Sequence, residues 1–132
     1  MAIDTGNGAT LTRTGFSVDI RSISIGSQTI DLLDRSILST TGFAEKISAD
    51  LAEAGSFTVE VLFDPVDADV VLGGAAVTTT ITLPGTGTPA NLAGTAILTD
   101  KKLPDLMNNE LMVASYTFTW DGVTGPTFTP QA

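Results

Sequence analysis

SFTVEVLFDP, residues 56 to 65, sets Phe57, Val59, Val61 and Phe63 on one side of an extended chain and Thr58, Glu60 and Leu62 on the other. Period-two alternation of this kind belongs to a half-buried β-strand, and Asp64-Pro65 ends it. One face builds a core. The other, a hydroxyl, a carboxylate and a leucine, must look at solvent, a partner or a cavity.

Outward from this strand, the same pattern recurs. In 111 to 120, Met112, Ala114, Tyr116, Phe118 and Trp120 share one face and Ser115, Thr117 and Thr119 the other. In 77 to 83, Val77, Thr79, Ile81 and Leu83 fall together. In 16 to 25, Phe16, Val18 and Ile20 have one parity and Ile23 and Ile25 the other, which predicts a bulge near Arg21-Ser22. Further strands are expected at 94 to 101 and near 44 to 51. Turn residues separate these segments, among them Gly26-Ser27, Gly73-Gly74, "PGTGTP" at 84 to 89, and Asp121-Gly122. The expectation is a mainly β, antiparallel sandwich or partial barrel in a single domain, since 132 residues suit one core and not two.

One helix is expected at 65 to 72, with Asp64 as N-cap, Pro65 as first residue, Asp67 three after the cap and Gly73-Gly74 as the stop. "SADLAEAG", 48 to 55, reads locally either as a capped helix or as a strand ending in a turn. Two long segments carry little periodicity, 1 to 15 and 30 to 43. The second, "IDLLDRSILSTTGF", holds Leu32, Leu33, Ile37, Leu38 and Phe43, too apolar for a solvated linker, so it packs as a short helix on its own core or against another subunit.

Composition excludes several functions. Six Lys plus Arg against 15 Asp plus Glu give a net charge of −9, with no basic cluster to neutralise nucleic-acid phosphates. Without Cys there is neither a disulfide framework nor a thiolate metal site, and without His the usual general base is missing. The longest run of apolar or glycine residues, "VVLGGAAV", is far shorter than the ~20 residues of a membrane span. Asp64, Asp67 and Asp69 lack the remaining ligands of a calcium loop, "PGTGTP" lacks the Lys-Ser/Thr of a phosphate loop, and Asp100-Lys101-Lys102 with Asp105 reads as surface ion pairs. No cofactor, metal or catalytic residue is expected. Charged residues make up only 16% of a chain that is 42% apolar, so much of its surface is neutral and suited to cover by partners.

The run "TGFAEKISADLAEAGSFTVEVLFDP", 41 to 65, followed by "TTTITLPG", "LAGTAILTDKKLPDL" and "DGVTGPTFTP", resembles the tail tube (major tail) proteins of long-tailed bacteriophages and related gene-transfer particles. The likeness spans about residues 16 to 129 and rests on ordered patterns, not on catalytic residues. It implies a β-sandwich-like fold with one helix and resolves 45 to 55 as strand and turn. It further implies six copies closing into a ring through a continuous inner β-barrel, and rings stacking into a tube that conducts double-stranded genomic DNA without binding it specifically. The N-terminal arm, within 1 to 15, and the loop 30 to 43 would then reach neighbouring copies through Leu32, Leu33, Ile37, Leu38 and Phe43. Strand parity assigns Glu60, Ser115 and Thr117, and with them Thr58, Ser48 and Asp50, to the channel. Implied partners are copies of itself, the tape measure protein, and the tail terminator and distal tail proteins; the implied location is the virion tail, assembled in the host cytoplasm. The alternative from composition and pattern is an extracellular immunoglobulin-like or carbohydrate-binding β-sandwich, which needs Trp120 and Tyr116 at an exposed site.

Overall fold

The computed structural model describes residues 6–16, 18–66, 69–85 and 87–132, and among these the ordered elements are all strands. They are β1 (Thr10–Arg13), β2 (Asp19–Ile25), β3 (Thr29–Asp34), β4 (Lys46–Glu53), β5 (Ser56–Leu62), β6 (Gly73–Thr82), β7 (Asn91–Lys102), β8 (Val113–Trp120) and β9 (Thr127–Thr129). Seven of them form one antiparallel, barrel-like sheet in the order β1-β6-β7-β8-β5-β2, with β9 added beside β7. β3 and β4 pair only with each other.

Alternation explains why these segments are strands and which side they bury. Along β5 and β8 every second residue is buried, and their register sets Phe57 against Phe118, Val59 against Tyr116 and Val61 against Ala114. Phe118 sits at the centre: its ring stacks on Phe57 at 5.2 Å and meets the edge of Phe16 at 5.5 Å. Trp120 closes one end against Phe57 at 4.9 Å. From the opposite wall come Thr79 and Ile81 of β6 and Leu92, Ala96 and Leu98 of β7. The bulge expected near Arg21-Ser22 lies between Ile20 and Ser22 of β2.

The expected helix at 65 to 72 is not formed. Its cap is: the Asp64 carboxylate accepts the backbone N–H of Val66 at 3.0 Å. Among the described residues of that segment none is helical, and Asp67 and Ala68 lie outside them. Nucleating a turn is costly, and Val and Asp are weak helix formers. Tertiary anchors act instead: Val70 is buried in the core, Lys101 Nζ binds the Asp69 carboxylate at 2.8 Å, and it also donates to the Val70 carbonyl at 3.3 Å. The two segments with little periodicity each hold a strand: β1 lies within 1 to 15, and β3 runs from Thr29 into 30 to 43, where a short helix or a subunit contact was expected. For 48 to 55 the structure has strand β4 followed by a turn.

Arg13 is the residue least expected in the interior. It is only 8% exposed, its guanidinium lies 4.8 Å from the Phe118 ring centroid, and Nη2 donates to the Ala96 carbonyl at 3.3 Å. Burial lowers its pKa through desolvation, and among the described residues no carboxylate pairs with it. Alternation in β1 accounts for it, since Leu11 and Arg13 share the inward face, opposite Ile81 and Thr79.

Trp120 and Tyr116 are each 5% exposed, so neither forms a stacking platform for a sugar. Acrylamide is expected to quench Trp120 fluorescence several-fold less than free tryptophan, with a blue-shifted emission. An emission maximum near that of free tryptophan would contradict this packing.

Candidate functional site

The outer face of the β2-β5-β8-β7 sheet is built by the same alternation that fills the core. Cross-strand partners run in rows: Ser24, Thr58, Thr117 and Asp100 in one, Ser22, Glu60, Ser115 and Lys102 in the next. Hydroxyls link the strands, with Thr58 Oγ1 3.2 Å from Thr117 Oγ1 and Thr99 Oγ1 2.9 Å from Thr119 Oγ1. Four of the six residues assigned by parity to a channel, Thr58, Glu60, Ser115 and Thr117, thus form one contiguous patch. Glu60 is neutralised in part by Arg21, 4.0 Å away across the bulge, a weak, exposed pair. Asp19 and Asp100 outnumber Lys102, which itself pairs with Asp105 at 3.4 Å, so the face carries a small net negative charge.

Ser48 and Asp50 are elsewhere, on the β3-β4 hairpin. Every residue of β3 is exposed, and only Ala49 of β4 is half-buried. Leu33 stands opposite Ile47, and Leu32 opposite Ser48. Opposed residues share a face, so Ser48 and Leu32 go to the same surroundings, although parity and hydrophobicity assigned one to a channel and the other to a subunit contact. Beyond β3, Ile37, Leu38 and Phe43 are all well exposed. The tip is ordered by small polar contacts. Asp34 accepts the Ser36 N–H at 2.9 Å, which holds its carboxyl below the usual range. Arg35 pairs with Glu45 at 3.4 Å. An isolated two-stranded hairpin is marginally stable in water, and one exposing leucines on both faces needs a covering surface.

The hairpin springs from the barrel at Gly26 and Gly55, which the sequence marked only as turns. Gly26 N donates to the Ser56 carbonyl at 2.7 Å, and Gly55 accepts from Trp120 N at 3.2 Å. A Cβ on Gly55 would lie 2.5 Å from the Ser27 carbonyl oxygen, and its φ is +85°. Gly55→Ala is therefore expected to cost about 1–3 kcal/mol in denaturant unfolding. A wild-type midpoint would mean that the root is not this tight.

At the same end, the Thr95 hydroxyl donates to the Asp121 carboxylate. That bond, with smaller contributions from backbone N–H groups including that of Val123, holds the Asp121 carboxyl below its usual range. The carboxylate form thus stabilises the turn at neutral pH, and this support is lost as pH falls through the lowered pKa. Asp64 and Asp69, two of the three residues weighed as a cation site, are occupied by Val66 N–H and Lys101, and no group of three potential ligands forms among the described residues.

Neither the family models nor the curated proteins contain a match to this sequence. Solved structures do match in fold. One, described as the PVC sheath/tube terminator of an extracellular contractile injection system in the extended state, superposes with a TM-score of 0.72 over 98% of this chain and 97% of that one, at 16% identity. Another, from the baseplate of the anti-feeding prophage, gives 0.61 over 92% and 91%, at 9% identity. What this chain shares with these injection-system components is the all-β, barrel-like fold, over nearly its whole length.

Proposed function

We propose that the chain is a non-enzymatic structural subunit of a phage-like tail, and more specifically that it forms the tail tube: six copies close into a ring, and rings stack. The observation that carries this reading is the β3-β4 hairpin, an ordered, apolar element that its own barrel leaves uncovered. A monomeric binding module has no use for such an arm, whereas a stacking subunit needs one. The fold likeness to injection-system components is in keeping with it.

In this reading Leu33, Ile37, Leu38 and Phe43 bury themselves on a neighbouring copy, and Thr58, Glu60, Ser115 and Thr117 face the channel. Ser48 and Asp50 join the channel wall through the hairpin of a neighbour, and Leu32 goes with Ser48. Partners are further copies, a tape measure protein inside the tube, and terminator and distal tail proteins at its ends; the delivered double-stranded DNA slides past the hydroxyl wall without specific binding. Assembly takes place in the host cytoplasm and the product is the virion tail. Negative-stain microscopy of concentrated protein is expected to show rings with six-fold symmetry, or tubes. A protein that stays monomeric at high concentration, with tail initiator proteins added, would refute the proposal.

A further inference from the structure

A ring needs two complementary edges on one subunit. In the hydroxyl-faced sheet β2, β5, β8 and β7 alternate in direction, so its two outer strands, β2 and β7, run oppositely. When such a sheet is continued by an identical copy related by rotation, β2 of one copy therefore meets β7 of the next in the antiparallel sense, the favoured pairing. Among the described residues neither edge carries a further backbone ladder. β6 leaves β7 at Leu98, so among the described residues the Thr99–Lys102 backbone is paired only through β8, with Asp69 and Val70 held by the Lys101 side chain. Gly6–Ala9 and Ile20–Ile23 of β2 border a common gap of about 390 Å³, and no backbone hydrogen bond joins the two segments among the described residues.

The charges on these edges select a register. Asp19 is opposite the outward Leu62, and Arg21 reaches the outward Glu60. Asp100 is opposite the outward Thr117 and Lys102 opposite the outward Ser115, where Lys102 also makes a weak, exposed pair with Asp105 at 3.4 Å. All four thus project from the same face. Antiparallel alignment with Asp19 opposite Lys102 brings Arg21 opposite Asp100, so both pairs attract. Sliding by two residues one way sets Asp19 against Asp100, and the other way sets Arg21 against Lys102. A slip of one residue sends the outward side chains of one strand beside the inward side chains of the other.

The geometry points to a self-association interface in which the β2 edge of one copy pairs antiparallel with Thr99–Lys102 of the next, its register fixed by Asp19–Lys102 and Arg21–Asp100 contacts between copies. This rests on the reading of the chain as a ring-forming subunit. Like charges set directly opposite each other destabilise a strand pair, so the wrong registers are disfavoured as well as the right one favoured.

Reversing a charge tests it. Arg21→Asp and Asp100→Arg are each expected to raise the concentration needed for ring formation about tenfold, as an attractive cross-strand pair becomes repulsive, and the double variant to return it to near the wild-type value. The chain has no Cys, which allows a second readout independent of rings. Asp19→Cys with Lys102→Cys is expected to form covalent multimers on mild oxidation, and Asp19→Cys with Asp100→Cys to stay monomeric. Wild-type rings with unaffected single variants, no rescue in the double, or equal cross-linking of both cysteine pairs would overturn this interface and leave the tail reading standing. Selective cross-linking without rings or tubes would uphold the edge pairing and count against the tube.

Discussion

Replacing Leu38 and Phe43 by Asp together is expected to abolish ring and tube formation while leaving the subunit folded. Both side chains are exposed in the single copy, so their loss removes nothing from its core, and the unfolding free energy is expected to stay within about 0.5 kcal/mol of wild type. Their value lies in burial on a neighbour. At roughly 1.5–3 kcal/mol for each large apolar side chain removed from water, the pair accounts for a change of about 100-fold or more in the concentration at which rings appear. Light scattering against concentration, read beside Trp120 emission as a check of folding, measures it. Assembly of the double variant at the wild-type concentration would show that the hairpin tip is not a contact.

Phe118→Ala has the opposite profile, destroying the subunit itself. The ring is fully buried, stacked on Phe57, edge-on to Phe16 and covered on one side by the Arg13 guanidinium. Truncating a buried phenylalanine costs about 3–5 kcal/mol, a large part of the ~5–15 kcal/mol that holds a typical domain together. The loss here is expected at the upper end, because Arg13 would keep its buried charge and lose the ring beneath it. Chemical denaturation followed by far-UV circular dichroism reads this directly, and a loss below about 1 kcal/mol would be incompatible with the packing described.

The barrel was legible in the sequence wherever one face is buried. Phe57, Val59 and Val61, the β8 aromatics and Thr79-Ile81 alternate because water lies on one side and core on the other, and the bulge at Arg21 showed as a change of parity. Reading failed where that contrast is missing. β3 is exposed on both faces, so Ile30, Leu32 and Leu33 carry no period and looked like a loop. β1 was hidden because one of its two inward residues is Arg13, although Leu11 and Arg13 share a parity that a search for inward charges would have found. The helix at 65 to 72 failed differently. Its cap forms as read, but burial of Val70 and the pairing of Lys101 with Asp69 outweigh a local preference spread over two turns. Of the proposed channel residues, those on β5 and β8 follow from the clean alternation, while the placement of Ser48 and Asp50 depends on where the hairpin lies in an assembly.

The strand order also governs when this molecule can exist during its own synthesis. β8 lies between β5 and β7, and β1 finds its partner only at Thr79–Thr82, so the sheet stays in two pieces, β1-β6-β7 and β2-β5, until residues near 120 have left the ribosome. Such distant pairings make for slow folding, whereas the β3-β4 hairpin is local and closes early. The nascent chain therefore displays its apolar tip before it has a barrel. Chains cut short before β8 have the tip but no wall to join.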